Sequence, residues 1–250
     1  MTTLAGPSPS TVHEAETLTD DALRDLFAYP DIGRPLLRAN FIASIDGAVT
    51  LDGSGRRLGT PTDRRVFGRM REVADVVLVG ATTAASKPYA DIQMSADAQA
   101  WRLSRGLAAV LPVAVVSSRG VVPPAVLSND TVPPVVFVAA GADAEARRVL
   151  DQSGARVIEL AGDRISSAAI CAALGELGLH RVLVEGGPTL FSQLVSDDVI
   201  DEVCLTTSPK LVAGPARRIA AADHHVEINM RRRGILTGDD GTVIVRWARY

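Results

Sequence analysis

Glu185, Gly186, Gly187, Pro188, Thr189 and Leu190 follow the apolar run Val182-Leu183-Val184. This order reads as a buried strand, a turn with unrestricted φ and a helix opened by proline. A helix N-terminus presents unpaired N–H groups and the positive end of its dipole, which suits a diphosphate. Gly-Gly-Pro is equally an ordinary tight strand-to-helix turn. Val79-Gly80-Ala81-Thr82-Thr83 repeats the pattern of strand, glycine and small polar residues. Val115-Val116-Ser117-Ser118-Arg119 sets two hydroxyls and a guanidinium just past a third strand, a group suited to a ribose 2′-phosphate. Each is a common surface feature alone. Three together point to a ligand at the carboxyl ends of an open sheet.

Two further segments carry candidate polar groups. Asn40 to Gly47 runs a strand into Asp46-Gly47, which most often marks a turn. Gly59-Thr60-Pro61-Thr62-Asp63 opens a helix that goes on to Arg64, Arg65 and Arg71. Asp63 in that first turn complements the helix dipole. Facing a cleft instead, its carboxylate would accept two N–H bonds from an aminopyrimidine edge.

Other chemistries are excluded by what the sequence lacks. No GxGxxG follows a strand and no GxxxxGK[ST] occurs, so neither a Rossmann dinucleotide site nor a P-loop is expected. GxSxG and HExxH are also missing. Cys171 and Cys204 form no CxxC and sit among apolar residues, reading as small buried hydrophobes rather than metal ligands. His224 and His225 are adjacent and would point in different directions on any regular element. No metal is expected.

The elements that must position these groups follow from hydrophobic periodicity. The chain has 250 residues, 47% of them hydrophobic, enough for the core of one domain. Residues 1–16 are rich in Thr, Ser, Pro and Ala and read as a flexible tail, with a single domain over 17–250. Thr19-Asp20-Asp21 starts a helix with Leu23, Leu26 and Phe27 at helical spacing. Strands are expected at 36–42, 75–80, 113–116, 135–138, 156–160, 181–185 and 203–207. Helices are expected from Pro61, at 143–152 and 166–177, and from Pro188. A hairpin, 234–237 and 242–247, turns at Gly238-Asp239-Asp240-Gly241. Alternating strands and helices predict an α/β sheet, parallel in its middle, with an antiparallel edge. A net charge of −3, with Arg231-Arg232-Arg233 the only basic block, argues against a nucleic-acid partner. No apolar stretch is long enough to span a bilayer, and no secretory signal pattern opens the chain, so a cytoplasmic location is expected.

Together these segments resemble the riboflavin-biosynthesis pyrimidine reductase family, the reductase half of the bifunctional deaminase–reductase. The matching motifs are NFxxSxDG at 40–47, Gly-Thr-Pro at 59–61, ADxxLVGxxT at 74–83, VVxS at 115–118, LVEGGPTL at 183–190 and DExxLTxxPxLVxG at 201–214. The opening helix near 18–29 is similar to the actinobacterial stand-alone branch. The resemblance implies a dihydrofolate-reductase-like three-layer sandwich, NADPH as cofactor, a homodimer, and reduction of a ribosylamino-pyrimidine phosphate (5-amino-6-(5-phosphoribosylamino)uracil reductase type). By position, Thr83, Ser118, Gly187, Pro188, Thr189 and Leu190 would line NADPH with Ala43 and Arg57 near it, beside the Gly80, Ser117, Arg119 and Gly186 of the strand ends. Asn40, Arg71 and Glu185 would fall on the substrate side, and Asp63 where dihydrofolate reductases place their pterin-binding acid. Hydride would pass to a C=N carbon, with Asp63 or a water protonating nitrogen and Glu185 holding the heterocycle. Lys87 stands within Ala85-Ser86-Lys87-Pro88, where the family often has Asp-Asp-Pro, and Arg57 replaces a frequent Trp. Neither H-x-E nor P-C-x-x-C occurs, so deamination is not expected. The alternatives are dihydrofolate reduction and NADPH binding without turnover.

Overall fold

The computed structural model describes residues 11–86, 89–222 and 224–250. Val76-Val77-Leu78-Val79 belongs to a strand, β3 (Val76–Gly80), and all four side chains are fully buried. Their alternation divides them between two cores: Val77 and Val79 pack on one face of the sheet, Val76 and Leu78 on the other. A strand covered on both sides has no use for a polar alternate, which explains the continuous β-branched run.

The chain runs through β1 (Val12–Glu14), α1 (Asp20–Leu26), β2 (Leu36–Ala43), α2 (Pro61–Glu72), β3, α3 (Ala81–Ala84), α4 (Ala96–Ser104), β4 (Val113–Ser117) and α5 (Pro124–Leu127). It continues through β5 (Val135–Ala139), α6 (Ala144–Asp151), β6 (Arg156–Leu160), α7 (Ser167–Glu176), β7 (Arg181–Gly186), α8 (Pro188–Ser196), β8 (Glu202–Thr207), β9 (Met230–Thr237) and β10 (Val243–Arg249). The strands form one sheet in the order β1-β9-β10-β8-β2-β7-β3-β4-β5-β6. From β8 to β6 every pairing is parallel, whereas β10 pairs antiparallel with both β8 and β9. Residues of α1 and α2 (Leu23, Val66, Met70) fill one core, and residues of α7 and α8 (Ile170, Leu174, Leu190, Phe191, Leu194) fill the other. The expected α/β three-layer architecture, parallel centre and C-terminal hairpin are all present.

Helix starts follow side-chain chemistry. Thr19, Thr60, Ser95 and Ser166 each accept the N–H three residues on, and Pro61 and Pro188 occupy first turns that need no donor there.

The structure departs from expectation in several places. Of the flexible tail expected over 1–16, residues 1–10 lie outside the described residues. Residues 12–14 form β1, an edge strand parallel to β9 with Val12 opposite Ile235, and a 3-10 turn follows. Its hydrogen bonds come from a partner more than 200 residues away, which local composition does not encode. Strand β9 begins at Met230, four residues before the expected Gly234. Helix α4, unforeseen, packs Trp101 on the first core. Cys204 is buried as expected, and Cys171 is only partly so.

Candidate active site

Parallel pairing places the carboxyl ends of β2, β7, β3 and β4 along one sheet edge. Beside them opens a cavity of about 660 Å³, within the range of small-molecule sites. One wall is helix α2. Asp63, Phe67 and Arg71 fall at successive fourth positions and all line the cavity, while Val66 and Met70 face the core. The opposite wall is the end of β7. Strand alternation places Glu185 on the same face as Leu183, toward α2, and a register shift against β3 lies just there.

Arg71 and Glu185 meet in a bidentate pair. Arg71 Nε donates to Oε1 at 2.8 Å and Nη2 to Oε2 at 2.7 Å, with side-chain exposures of 10% and 3%. The guanidinium also lies over the rings of Phe67, at 4.3 Å, and Tyr89, at 5.7 Å. Burial would lower the pKa of Arg71, but the Glu185 charge outweighs it and the net shift is upward. Burial, reinforced by Glu185, pushes the Tyr89 phenol up, so it stays a neutral donor. With both oxygens engaged by one guanidinium, Glu185 is fitted to orient a ligand rather than to give up a proton.

Asp63 is different. No cation among the described residues forms an ion pair with it. Burial pushes its carboxyl up, opposed by Thr206 and by the charge of Arg64. Thr206 Oγ1 lies beside it but lacks a partner in good hydrogen-bond geometry, so its relief is partial. Asn40 also lines the cavity, and its Oδ1 is buried with no partner.

The glycine turns meet at the same place. Gly187 leads into α8, and a Cβ there would lie 2.4 Å from Thr83 Oγ1, so the backbone must stay bare opposite that hydroxyl. Gly186, at φ +90°, packs under the Phe41 ring, where a Cβ would come within 3.0 Å. Thr83, Gly187 and Pro188 line the cavity. Behind them, Gly80 backs onto Leu190, which is buried in the core, and Thr189 is exposed in the first turn of α8. A bare backbone at a helix N-terminus facing a hydroxyl fits a diphosphate.

Other expected residues lie outside the cavity lining. Ala43 is buried, its carbonyl accepting from Ser208 N. Arg57 is exposed and pairs with Asp52, and its neighbour Arg56 reaches the cavity instead. Ser117 closes its own turn by donating to the Val121 carbonyl at 2.8 Å, and Ser118 and exposed Arg119 follow at the end of β4. Lys87 lies outside the described residues. Phe41, Arg56, Phe67 and Tyr89 are cavity residues that sequence reasoning missed. The i, i+4, i+8 spacing from Asp63 would have found Phe67; nothing local marks the others. Among the described residues no His/Cys/Asp/Glu cluster could hold a metal, and no helix is long and apolar enough to cross a membrane.

Residues 35–244 match the family model described as the RibD C-terminal domain. The chain is 30% identical to the 2,5-diamino-6-ribosylamino-4(3H)-pyrimidinone 5′-phosphate reductase of Archaeoglobus fulgidus, over 72% of this chain and 83% of that protein. It is 27% identical to the riboflavin biosynthesis protein RibD of Bacillus amyloliquefaciens, over 73% of this chain and 47% of the relative, and so spans about half the length of that protein. A pyrimidine reductase-like protein from Corynebacterium diphtheriae superposes with a TM-score of 0.80 at 22% identity, covering 93% of this chain and 99% of that one, which shows a common fold.

Proposed function

The chain belongs to the RibD C-terminal domain family, and from that premise we propose that it is an NADPH-dependent reductase of a ribosylamino-pyrimidine 5′-phosphate. One observation carries the reading: the two glycine turns after β3 and β7 open onto the same cavity that Asp63, Arg71 and Glu185 line. In this reading Thr83, Gly187 and Pro188 hold the cofactor diphosphate, and Ser118 and Arg119 take its ribose phosphate. When bound, the reduced nicotinamide supplies a hydride for the C=N carbon of a ring-opened ribosylimine. Glu185, fixed by Arg71, orients the heterocycle. Asp63 is the cavity's unpaired acid, able to bind the ring or to hold a proton for the nitrogen. Phe41 and Phe67 exclude water from the ring's faces. The protein acts in the cytoplasm as a homodimer, the latter checked by mass from light scattering.

The test is loss of NADPH absorbance on addition of the ribosylamino-pyrimidine phosphate. Oxidation that depends on both NADPH and the pyrimidine is expected. Measurable NADPH binding without oxidation would sink the reading.

A further inference from the structure

Helix α2 carries Asp63, Phe67 and Arg71 along its cavity face, and Arg71 lies one residue from the helix end at Glu72. The last turn of a helix has carbonyls without intrahelical donors, and helix ends fray. Arg71 is nevertheless held in a bidentate pair with Glu185, at 2.8 and 2.7 Å. That fork geometry tolerates little displacement of the backbone behind it.

What fixes the turn comes from α4. Arg102 is fully buried, and its Nη1 donates to the carbonyls of Arg71 at 3.3 Å, Glu72 at 2.9 Å and Ala74 at 2.7 Å. Its Nε donates to the Ala108 carbonyl at 2.7 Å, which anchors the guanidinium to the chain after α4. None of these acceptors is a carboxylate, and Nη2 is buried with no partner. Burial lowers the pKa of Arg102 to about 10, so its charge persists at neutral pH. A buried cation without a counter-ion is costly. Here it answers the negative end of the dipole of the helix that walls the cavity. The neighbouring Trp101 acts on the same turn: its ring lies 5.0 Å from the Arg24 guanidinium, whose Nε donates to the Glu72 carboxylate at 2.7 Å. Helix α4 thus holds Glu72 by its carbonyl and, through Arg24, by its carboxylate. Arg102 itself does not line the cavity.

We propose that Arg102 is a positioning residue: by fixing the backbone of the last turn of α2, it sets the Arg71 guanidinium against Glu185. The positioning rests on the hydrogen bonds above; its consequence for catalysis rests on the reductase reading.

Two variants of the full chain test this. Arg102→Met keeps the length without the donors, and Arg102→Lys keeps the charge on a single nitrogen; where the first fails to fold, the second carries the test. One readout needs no substrate: the NMR signal of the Arg71 Nε–H, identified by its absence in Arg71→Lys. In the unmodified protein that proton is expected to exchange slowly. In Arg102→Met its signal should shift and exchange about tenfold faster, with Arg102→Lys between the two. The other readout is turnover. For the ribosylamino-pyrimidine phosphate, kcat/KM should fall about tenfold in Arg102→Met while the Kd for NADPH is unchanged. In a Glu185→Gln background the same substitution should cost no further activity, although it lowers the urea midpoint there too. An Arg71 signal already in fast exchange in the unmodified protein, or unchanged in whichever variants fold, overturns the proposal whether or not the protein turns over. So does a fall in kcat/KM that persists undiminished in Glu185→Gln, or one matched by an equal loss of NADPH affinity, the mark of a merely structural role. No turnover by the unmodified protein, with an Arg71 signal that moves in the variants, removes the reductase reading and supports the positioning.

Discussion

Two of the buried Arg–Glu constellations among the described residues differ sharply in what surrounds them. In the first, Glu202 on β8 is gripped by Arg38 of β2, at 2.6 Å, and by Arg246 of β10, at 2.7 Å. The remaining donors are spent on carbonyls at the end of α1 and just after it: Arg246 on Leu26, Arg38 on Phe27 and Ala28. The Arg38 and Glu202 side chains are 0% and 4% exposed, and neither lines the cavity. In the second, Arg71 and Glu185 form a single bidentate pair whose other side is the cavity. The chemistry is the same and the consequence is not. A closed cluster ties α1 to the sheet and has nothing left to offer a ligand. An open pair is equally well ordered and presents its charge and its neighbouring rings to whatever enters.

Breaking the closed cluster should give the largest effect. Glu202→Gln leaves Arg38 and Arg246 buried without a counter-charge, and breaking a buried pair costs about 3–5 kcal/mol, read as a lower midpoint in urea. Burial alone would raise the Glu202 carboxyl, yet Arg38 and Arg246 hold it down near 2. Its folded pKa is depressed, so its stabilisation is present above the ordinary value of 4.5 and is lost as pH falls toward 2. The variant should lack that acid limb while NADPH affinity holds.

Glu185→Gln should invert the pattern. Catalytic efficiency is expected to fall about 100-fold, on the scale of an orienting interaction lost from a site. The loss of stability should be smaller than for Glu202→Gln, because water in the cavity can solvate the freed Arg71. A urea midpoint that drops as far in Glu185→Gln as in Glu202→Gln would erase the distinction between the regions. The smallest of the three effects is at the glycine turn. Gly187→Ala sets a Cβ 2.4 Å from Thr83 Oγ1, and the forced shift should weaken NADPH binding about tenfold, one misplaced hydrogen bond's worth, measured by fluorescence titration.

The comparison also shows where sequence reading reaches. Runs such as Val76 to Val79, and the threonine and proline at the start of α2, identify elements because their causes are local. Glu185 and Glu202 each lie on a strand within an apolar context, and nothing nearby says which will be closed over and which will face a ligand. That difference is set by Arg246 arriving from β10 and by α2 bringing Arg71 across, both contacts distant in sequence. Edge strand β1 was hidden for the same reason. Asp63 was visible as a helix-start acid with two roles open to it, and only the fold shows it lining the cavity without an ion-pair partner among the described residues. Tyr89 has no local signature, since the Arg71 guanidinium that it flanks comes from a different element.

If the open pair marks a reductase site, turnover must depend on Glu185 and not on Glu202. NADPH oxidation with the ribosylamino-pyrimidine phosphate, followed in parallel for the unmodified protein, Glu185→Gln and Glu202→Gln under conditions where all three remain folded, tests it most directly. Turnover is expected for the unmodified protein, about 100-fold less for Glu185→Gln, and near-normal turnover for Glu202→Gln. Equal rates in Glu185→Gln and the unmodified protein, or no oxidation by the unmodified protein despite bound NADPH, would contradict it.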